Sequence, residues 1–253
     1  MVNEHRVTTE PSPKRVRVVF AGHMIADSSH VLTLWETGHT PVYYFPAEDV
    51  RRDLLVPSEH HTTCPFKGEA SYWSIEVDGR RADNAVWGYE DPIPGREDIK
   101  GFLAFYWDKA DHWFEEEDEV FVHPRDPYTR VDVLQSARHV QVVVGGETVA
   151  ASDRPLMLVE TGLPVRWYLP KLDVRLDLLT PTDTVTRCPY KGQARYWSVD
   201  AGGVRVEDGA WSYEYPLPEV GKIATAIAFF QERVDEVWVD GEQIDHPRTA
   251  WSR

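Results

Sequence analysis

The sequence predicts a mainly β (α+β) protein made of two tandem copies of one domain, each with antiparallel sheets and one helix. Three observations carry that prediction. The run Thr63-Cys64-Pro65-Phe66-Lys67-Gly68, leading into Tyr72-Trp73-Ser74, recurs as Arg187-Cys188-Pro189-Tyr190-Lys191-Gly192, leading into Tyr196-Trp197-Ser198, an offset of 124 residues. Short alternating apolar runs, punctuated by Gly, Pro and Asp, flank both motifs and read as strands. One apolar set per copy has the i, i+3, i+4, i+7 spacing of a helix face.

Residues 1–15 carry charge, Thr and Pro without apolar periodicity, and are expected to be a disordered leader. The first domain is expected at 16–125, a linker at 126–138 and the second domain at 139–248. Val16, Val18 and Phe20 share one face of a strand that ends in the turn Ala21-Gly22-His23; Val140, Val142 and Val144 with Gly145-Gly146-Glu147 repeat it. Strands follow at residues 31–36 and 156–160, then at 41–46 and 164–170. An acidic and apolar segment comes next, Asp49 to Leu55 and Asp173 to Leu179. The Cys-Pro turn then opens a hairpin. Pro92 and Pro94 precede the helix read from Ile99, Phe102, Leu103 and Tyr106, and Pro216 and Pro218 precede its repeat at Ile223, Ala226, Ile227 and Phe230. A last strand, Val120 to Val122 or Val237 to Val239, closes each copy.

The 253 residues accommodate two domains of ordinary size, each able to bury its own core. With 42% hydrophobic residues, 12% aromatic residues and ten tryptophans, both should fold. A formal net charge of −15 disfavours nucleic acid and anionic membranes as partners. No apolar run approaches the roughly 20 residues of a membrane-spanning helix, and no secretory h-region is visible. One cysteine per copy cannot pair within a domain, so a bacterial-type cytoplasmic location is the expectation.

The pattern Tyr44-Phe45-Pro46-x-x-Asp49-Val50, then 63–73, then Ala85-Val86-Trp87-x-Tyr89, then Ile99 to Tyr106, resembles family 427 of the domains of unknown function, also labelled nucleotidyltransferase-like. The likeness spans nearly all of both copies, with Leu169 in place of Phe45 and Tyr190 in place of Phe66. It implies a β-tent fold, two antiparallel sheets pinned at one edge and splayed open, similar to the thalidomide-binding domain of cereblon and to methionine sulfoxide reductases of the B type. Many such proteins hold zinc on two Cys-x-x-Cys pairs. Cys64 and Cys188 cannot supply four ligands, so neither metal nor another cofactor is expected.

The leading candidate site is aromatic. Alternation puts Trp73 with Ile75 and Val77 on one face of its strand, and Ala85, Trp87 and Tyr89 on one face of the next. Tyr72, Trp73, Trp87 and Tyr89 with Lys67, and Tyr196, Trp197, Trp211 and Tyr213 with Lys191, are therefore the candidate binding residues for a small molecule. The resemblance adds that the thalidomide site also uses tryptophans on neighbouring strands. Such cages suit flat imides, ureides or cations, with cation–π attraction of roughly 0.5–2 kcal/mol. The alternative is that these rings pack a core between sheets.

Other candidates are weaker. Lys67 beside Cys64, and Lys191 beside Cys188, would favour a thiolate, but no histidine keeps a common offset near both cysteines, and the Pro-x-Lys-Gly run also reads as a tight turn. Glu36, Asp49, Arg51, Asp53 and Glu90 recur as Glu160, Asp173, Arg175, Asp177 and Glu214; they suit acid–base chemistry or ordinary ion pairing. His60-His61 lacks a counterpart, whereas His123-Pro124-Arg125 recurs as His246-Pro247-Arg248. Neither the Gly-Ser turn with Asp-x-Asp of polymerase-β-type transferases nor a P-loop is present. The leading expectation is a ligand-binding or sensing protein with an aromatic pocket in each repeat. The alternatives are a nucleotidyl- or other group-transfer enzyme using Lys67, Asp49 and Glu90, and a structural interaction module.

Overall fold

The computed structural model describes residues 5–252, which divide into two compact units, the first ending at Asp126 and the second beginning at Pro127. Unit one contains β1 (Val7–Pro11), β2 (Val16–Phe20), β3 (His23–Ser28), β4 (Leu32–Glu36), β5 (Val42–Pro46), β6 (Leu55–Cys64), β7 (Gly68–Val77), β8 (Arg80–Gly88), β9 (Phe102–Phe105), β10 (His112–Glu115) and β11 (Asp118–Val120). They form a seven-stranded sheet, β1-β4-β5-β9-β8-β7-β6, and a four-stranded sheet, β11-β10-β2-β3, with every strand pairing antiparallel.

Unit two repeats this with β12 (Val131–Gln135), β13 (Val140–Val144), β14 (Glu147–Ser152), β15 (Leu156–Glu160), β16 (Arg166–Leu169), β17 (Leu179–Cys188), β18 (Gly192–Ala201), β19 (Val204–Pro216), β20 (Ile227–Phe229), β21 (Glu236–Val239) and β22 (Glu242–Gln243). Its sheets run β12-β15-β16-β20-β19-β18-β17 and β14-β13-β21-β22. The duplication in sequence is thus a duplication of topology.

Alternation explains how one sheet serves two apolar layers. In β5, Tyr43 and Phe45 join a core with Val16, Val18, Ile75, Val86 and Trp113 between the two sheets, while Tyr44 joins Leu34, Ala70, Tyr72, Tyr89 and Ile99 on the other face. Unit two does the same: Trp167 and Leu169 enter the core between its sheets, and Tyr168 enters the second layer with Trp211 and Phe230. Tight turns hold the hairpins. Gly145 and Gly146 take φ of +59° and +74°, the two left-handed positions of a type I′ turn between β13 and β14.

Several expectations are corrected at the level of elements. The apolar set Ile99, Phe102, Leu103, Tyr106 is not a helix: Glu97–Ile99 is a single 3-10 turn, Gly101 takes φ +80°, and β9 follows between β5 and β8. Unit two likewise has a kinked 3-10 segment, Pro218–Ile223, and then β20. The helical spacing coincided with strand alternation over a run too short to separate the two, and pairing on both edges decides for strand. Within the expected leader, Val7–Pro11 pairs with β4 from Val7↔Glu36 to Pro11↔Leu32. Within the expected linker, Val131–Gln135 pairs in the same way with β15. The counterpart of Val237 to Val239 is β10 rather than 120–122: β10 pairs with β2 as β21 pairs with β13.

Candidate functional site

A cleft of about 600 Å³ in unit one is lined from both apolar layers, by Tyr44, Tyr72, Trp87 and Tyr89 on the second face of the large sheet and by Tyr43, Phe105 and Trp113 of the core between the sheets. Its floor follows from register. Tyr72 on β7 lies directly opposite Trp87 on β8, and Trp87 lies opposite Ala104 on β9, which is itself opposite Tyr44 on β5. Four adjacent strands therefore place Tyr72, Trp87 and Tyr44 side by side, with Ala104 leaving room among them. The Trp87 indole N–H donates to the Tyr44 hydroxyl at 3.3 Å, and the two rings meet edge-on at 6.3 Å. Tyr106, 40% exposed, tilts against Trp87 at 4.5 Å. Trp107 and Trp113, stacked 4.2 Å apart at 6°, line the other wall, with His123 and Asp108 also at the cleft.

One ion pair is built into this wall. Lys67 Nζ donates to Glu36 Oε2, and both side chains are about nine-tenths buried. The Cys64-to-Gly68 turn places the lysine there: Lys67 N–H donates to Cys64 O at 3.3 Å and Gly68 begins β7 at φ +108°. His5 approaches the other Glu36 oxygen at 3.1 Å and stacks on Phe66 at 3.7 Å. Burial alone would raise the Glu36 carboxyl, but Lys67 and His5 hold it below its ordinary value. Tyr44 and Tyr89 are pushed above the usual phenol range by burial, and Tyr106 is pushed up to about 12 by burial and by Tyr72 beside it.

Of the binding residues expected in this unit, Tyr72, Trp87, Tyr89 and Lys67 line the cleft and Trp73 does not. Trp73 belongs to the core between the sheets. Direct pairing of Tyr72 with Trp87 puts Trp73 opposite Val86 on the far face, and the irregularity around Asn84 (φ +50°) turns Ala85 to that face as well. Reading each strand's alternation without the register between strands produced the error.

In unit two, Tyr196 pairs with Trp211, Trp211 donates to the Tyr168 hydroxyl at 3.1 Å, and Lys191 donates to Glu160. Tyr213 is buried beside them, and Trp197 lies on the opposite face, as Trp73 does. This copy of the floor is covered. Trp211 and Phe230 are each 7% exposed, and the guanidinium of Arg166 lies 5.7 Å from the Trp211 ring, held by Glu232 at 2.8 and 2.5 Å. A smaller cleft of about 330 Å³ in this unit is lined by Met157, Trp167 and Ile244 instead.

The remaining sequence candidates are not brought together. Asp49 accepts from Ser28 at 2.6 Å and Glu90 from Ser71 at 3.3 Å, and neither lines the cleft that Lys67 lines. Arg51 forks onto Asp53, and Arg175 onto Asp177, at the exposed surface. Cys64 and Cys188 are half-buried free thiols. Among the described residues no cluster of three or more His, Cys, Asp or Glu could hold a metal, and no helix is long and apolar enough to cross a membrane.

A family model described as domain of unknown function (DUF427) matches the chain twice, over residues 8–116 and 132–240. The chain belongs to the DUF427 family. Each DUF427 segment starts within the first strand of its unit, β1 or β12, and includes the complete Tyr-Trp floor. No curated protein matches the chain. The sequence reading missed Tyr44, Tyr106, Trp107 and Asp108 in the DUF427 cleft, having assigned Tyr106 to a helix. The signal available was the difference between copies, where Val42 and Asp108 become Arg166 and Glu232.

Proposed function

We propose that this DUF427 protein is a small-molecule-binding module whose site is the aromatic cleft of unit one. The observation that carries this reading is contrast at equal topology: Tyr106 is 40% exposed where its counterpart Phe230 is 7% exposed. Large aromatics left open beside a buried ion pair are costly to keep in water, and pockets for small ligands combine such rings with a few fixed polar groups. The cleft volume lies within the usual range for ligand sites, roughly 300–1,000 Å³. The expected pocket in each repeat becomes, in this proposal, a single open site with a filled copy.

A thermal-shift screen of nucleotides, ureides and quaternary or planar cations tests it. At least one compound should raise the unfolding temperature of the wild type and of Trp211→Phe, but not of Trp87→Ala. The reading fails if no compound does so, or if the shift survives in Trp87→Ala.

A further inference from the structure

The two units carry the same floor, so the filled copy shows what the open one can hold. Val42 and Arg166, Trp87 and Trp211, Tyr106 and Phe230, and Asp108 and Glu232 are each 124 residues apart. The strands agree with that equivalence: Tyr44 pairs with Ala104 as Tyr168 pairs with Ala228. In unit two, Arg166 reaches from β16 over the floor. Its guanidinium lies 5.7 Å from both the Trp211 and the Trp251 rings and forks onto both oxygens of Glu232. Gln231 adds a third contact at 3.1 Å. The Glu232 side chain is fully buried and that of Arg166 is 9% exposed.

Unit one keeps the indole and a carboxylate of this arrangement but not the guanidinium, and the chain carries Trp107 and Pro127 where the second copy has Gln231 and Trp251. Val42 is too short to cross the floor, and Val42, Trp87, Tyr106 and Asp108 all line the cleft. Asp108 makes no ion pair among the described residues, so one carboxylate waits at the rim. The only Lys or Arg in the lining is Lys67, which Glu36 already neutralises. An anionic ligand would therefore find no uncommitted lysine or arginine in the lining, whereas a cation finds a carboxylate and ring faces.

We propose, building on the binding reading above, that the cleft of unit one takes a small molecule carrying a planar cation of the guanidinium or amidinium class. Its face lies on Trp87 and its N–H edge points to Asp108, the arrangement Arg166 makes with Trp211 and Glu232. A planar group with parallel N–H donors matches a carboxylate in two hydrogen bonds and stacks on an indole, which a compact ammonium does less well.

The test is a titration of the full chain with N-methylguanidinium and with its neutral isostere N-methylurea, followed by calorimetry or tryptophan fluorescence. The cation should bind at least about tenfold more tightly, the size of effect expected for one charge-assisted contact. Asp108→Asn, a change at an exposed position, should remove most of that advantage. Val42→Arg should abolish binding by supplying the second unit's own plug. If N-methylurea binds as well as the cation and Val42→Arg blocks it, the cation class is wrong while the cleft remains a binding site. If neither probe binds, but another compound does and Val42→Arg blocks it, the same conclusion holds. If binding of every probe is indifferent to both Val42→Arg and Trp87→Ala, the inference and the binding reading fail together.

Discussion

Trp87 and Trp211 occupy the same position in two copies and should respond differently to the same substitution. Trp211 is 7% exposed, donates to Tyr168 and packs on Phe230 at 4.5 Å, so Trp211→Ala should cost about 3–5 kcal/mol, the range for deleting a buried large aromatic. Trp87 is half-buried at an open cleft, and Trp87→Ala should cost about 1–3 kcal/mol, as for a residue with partial packing. Denaturant midpoints for the two variants check this; equal losses would mean that both rings are core. The Lys67–Glu36 pair makes a second residue-scale prediction. Lys67→Met leaves a buried carboxylate with one fewer partner and should cost about 3–5 kcal/mol. The pair also has a pH signature of definite sign. The folded carboxyl of Glu36 lies below its ordinary value, so the stability it contributes is fully present above about pH 4.3 and is lost as pH falls through the lower folded value. Midpoints of wild type and Glu36→Gln should differ by a constant amount above about pH 5 and converge below about pH 4.

At the scale of elements, the turn that delivers Lys67 depends on backbone geometry. Gly68 and Gly192 sit at φ +108° and +98°, and a Cβ on Gly68 would come 3.2 Å from the Ile93 nitrogen. Gly68→Ala and Gly192→Ala should each cost more than about 1 kcal/mol, read as a drop in thermal midpoint, because the strained φ adds to the contact. The strands, hairpins and this turn were legible in the sequence because alternation and Gly-containing turns are local signals: Val16, Val18 and Phe20 announce a buried face without help from distant residues. The strands β9 and β20 were not legible. Phe102 to Phe105 satisfies a helix face and a strand equally well, and the hydrogen bonds that settle it come from Tyr44, Phe45 and Pro46 more than 50 positions earlier in the chain. The candidate site was half legible for the same reason. Tyr72, Trp87 and Lys67 do line the cleft, whereas Trp73, rightly grouped with Ile75 and Val77, was joined to the face of Trp87, since the pairing of Tyr72 with Trp87 is a fact about two strands together. Val7–Pro11 and Val131–Gln135 were missed because edge strands with one partner need little apolar pattern of their own.

Across the whole molecule, each unit has its own layers of buried residues. Residues 1–126 and 127–253, expressed separately, should each unfold cooperatively, with the β-rich circular dichroism of the full chain. A unit that remains unfolded alone would show that its core is incomplete. Duplication with divergence then accounts for the pair: one scaffold twice, with the floor open beneath Val42 and closed beneath Arg166. Radical footprinting of the unliganded full chain, read peptide by peptide, tests that asymmetry most directly, because it needs no ligand and reports both copies in one sample. Trp87 and Tyr106 should be oxidised readily while Trp211 and Phe230 stay protected, after correction for the intrinsic reactivity of each ring. Equal protection of the two sets, or faster oxidation in the second unit, would contradict an open first site and a filled second one.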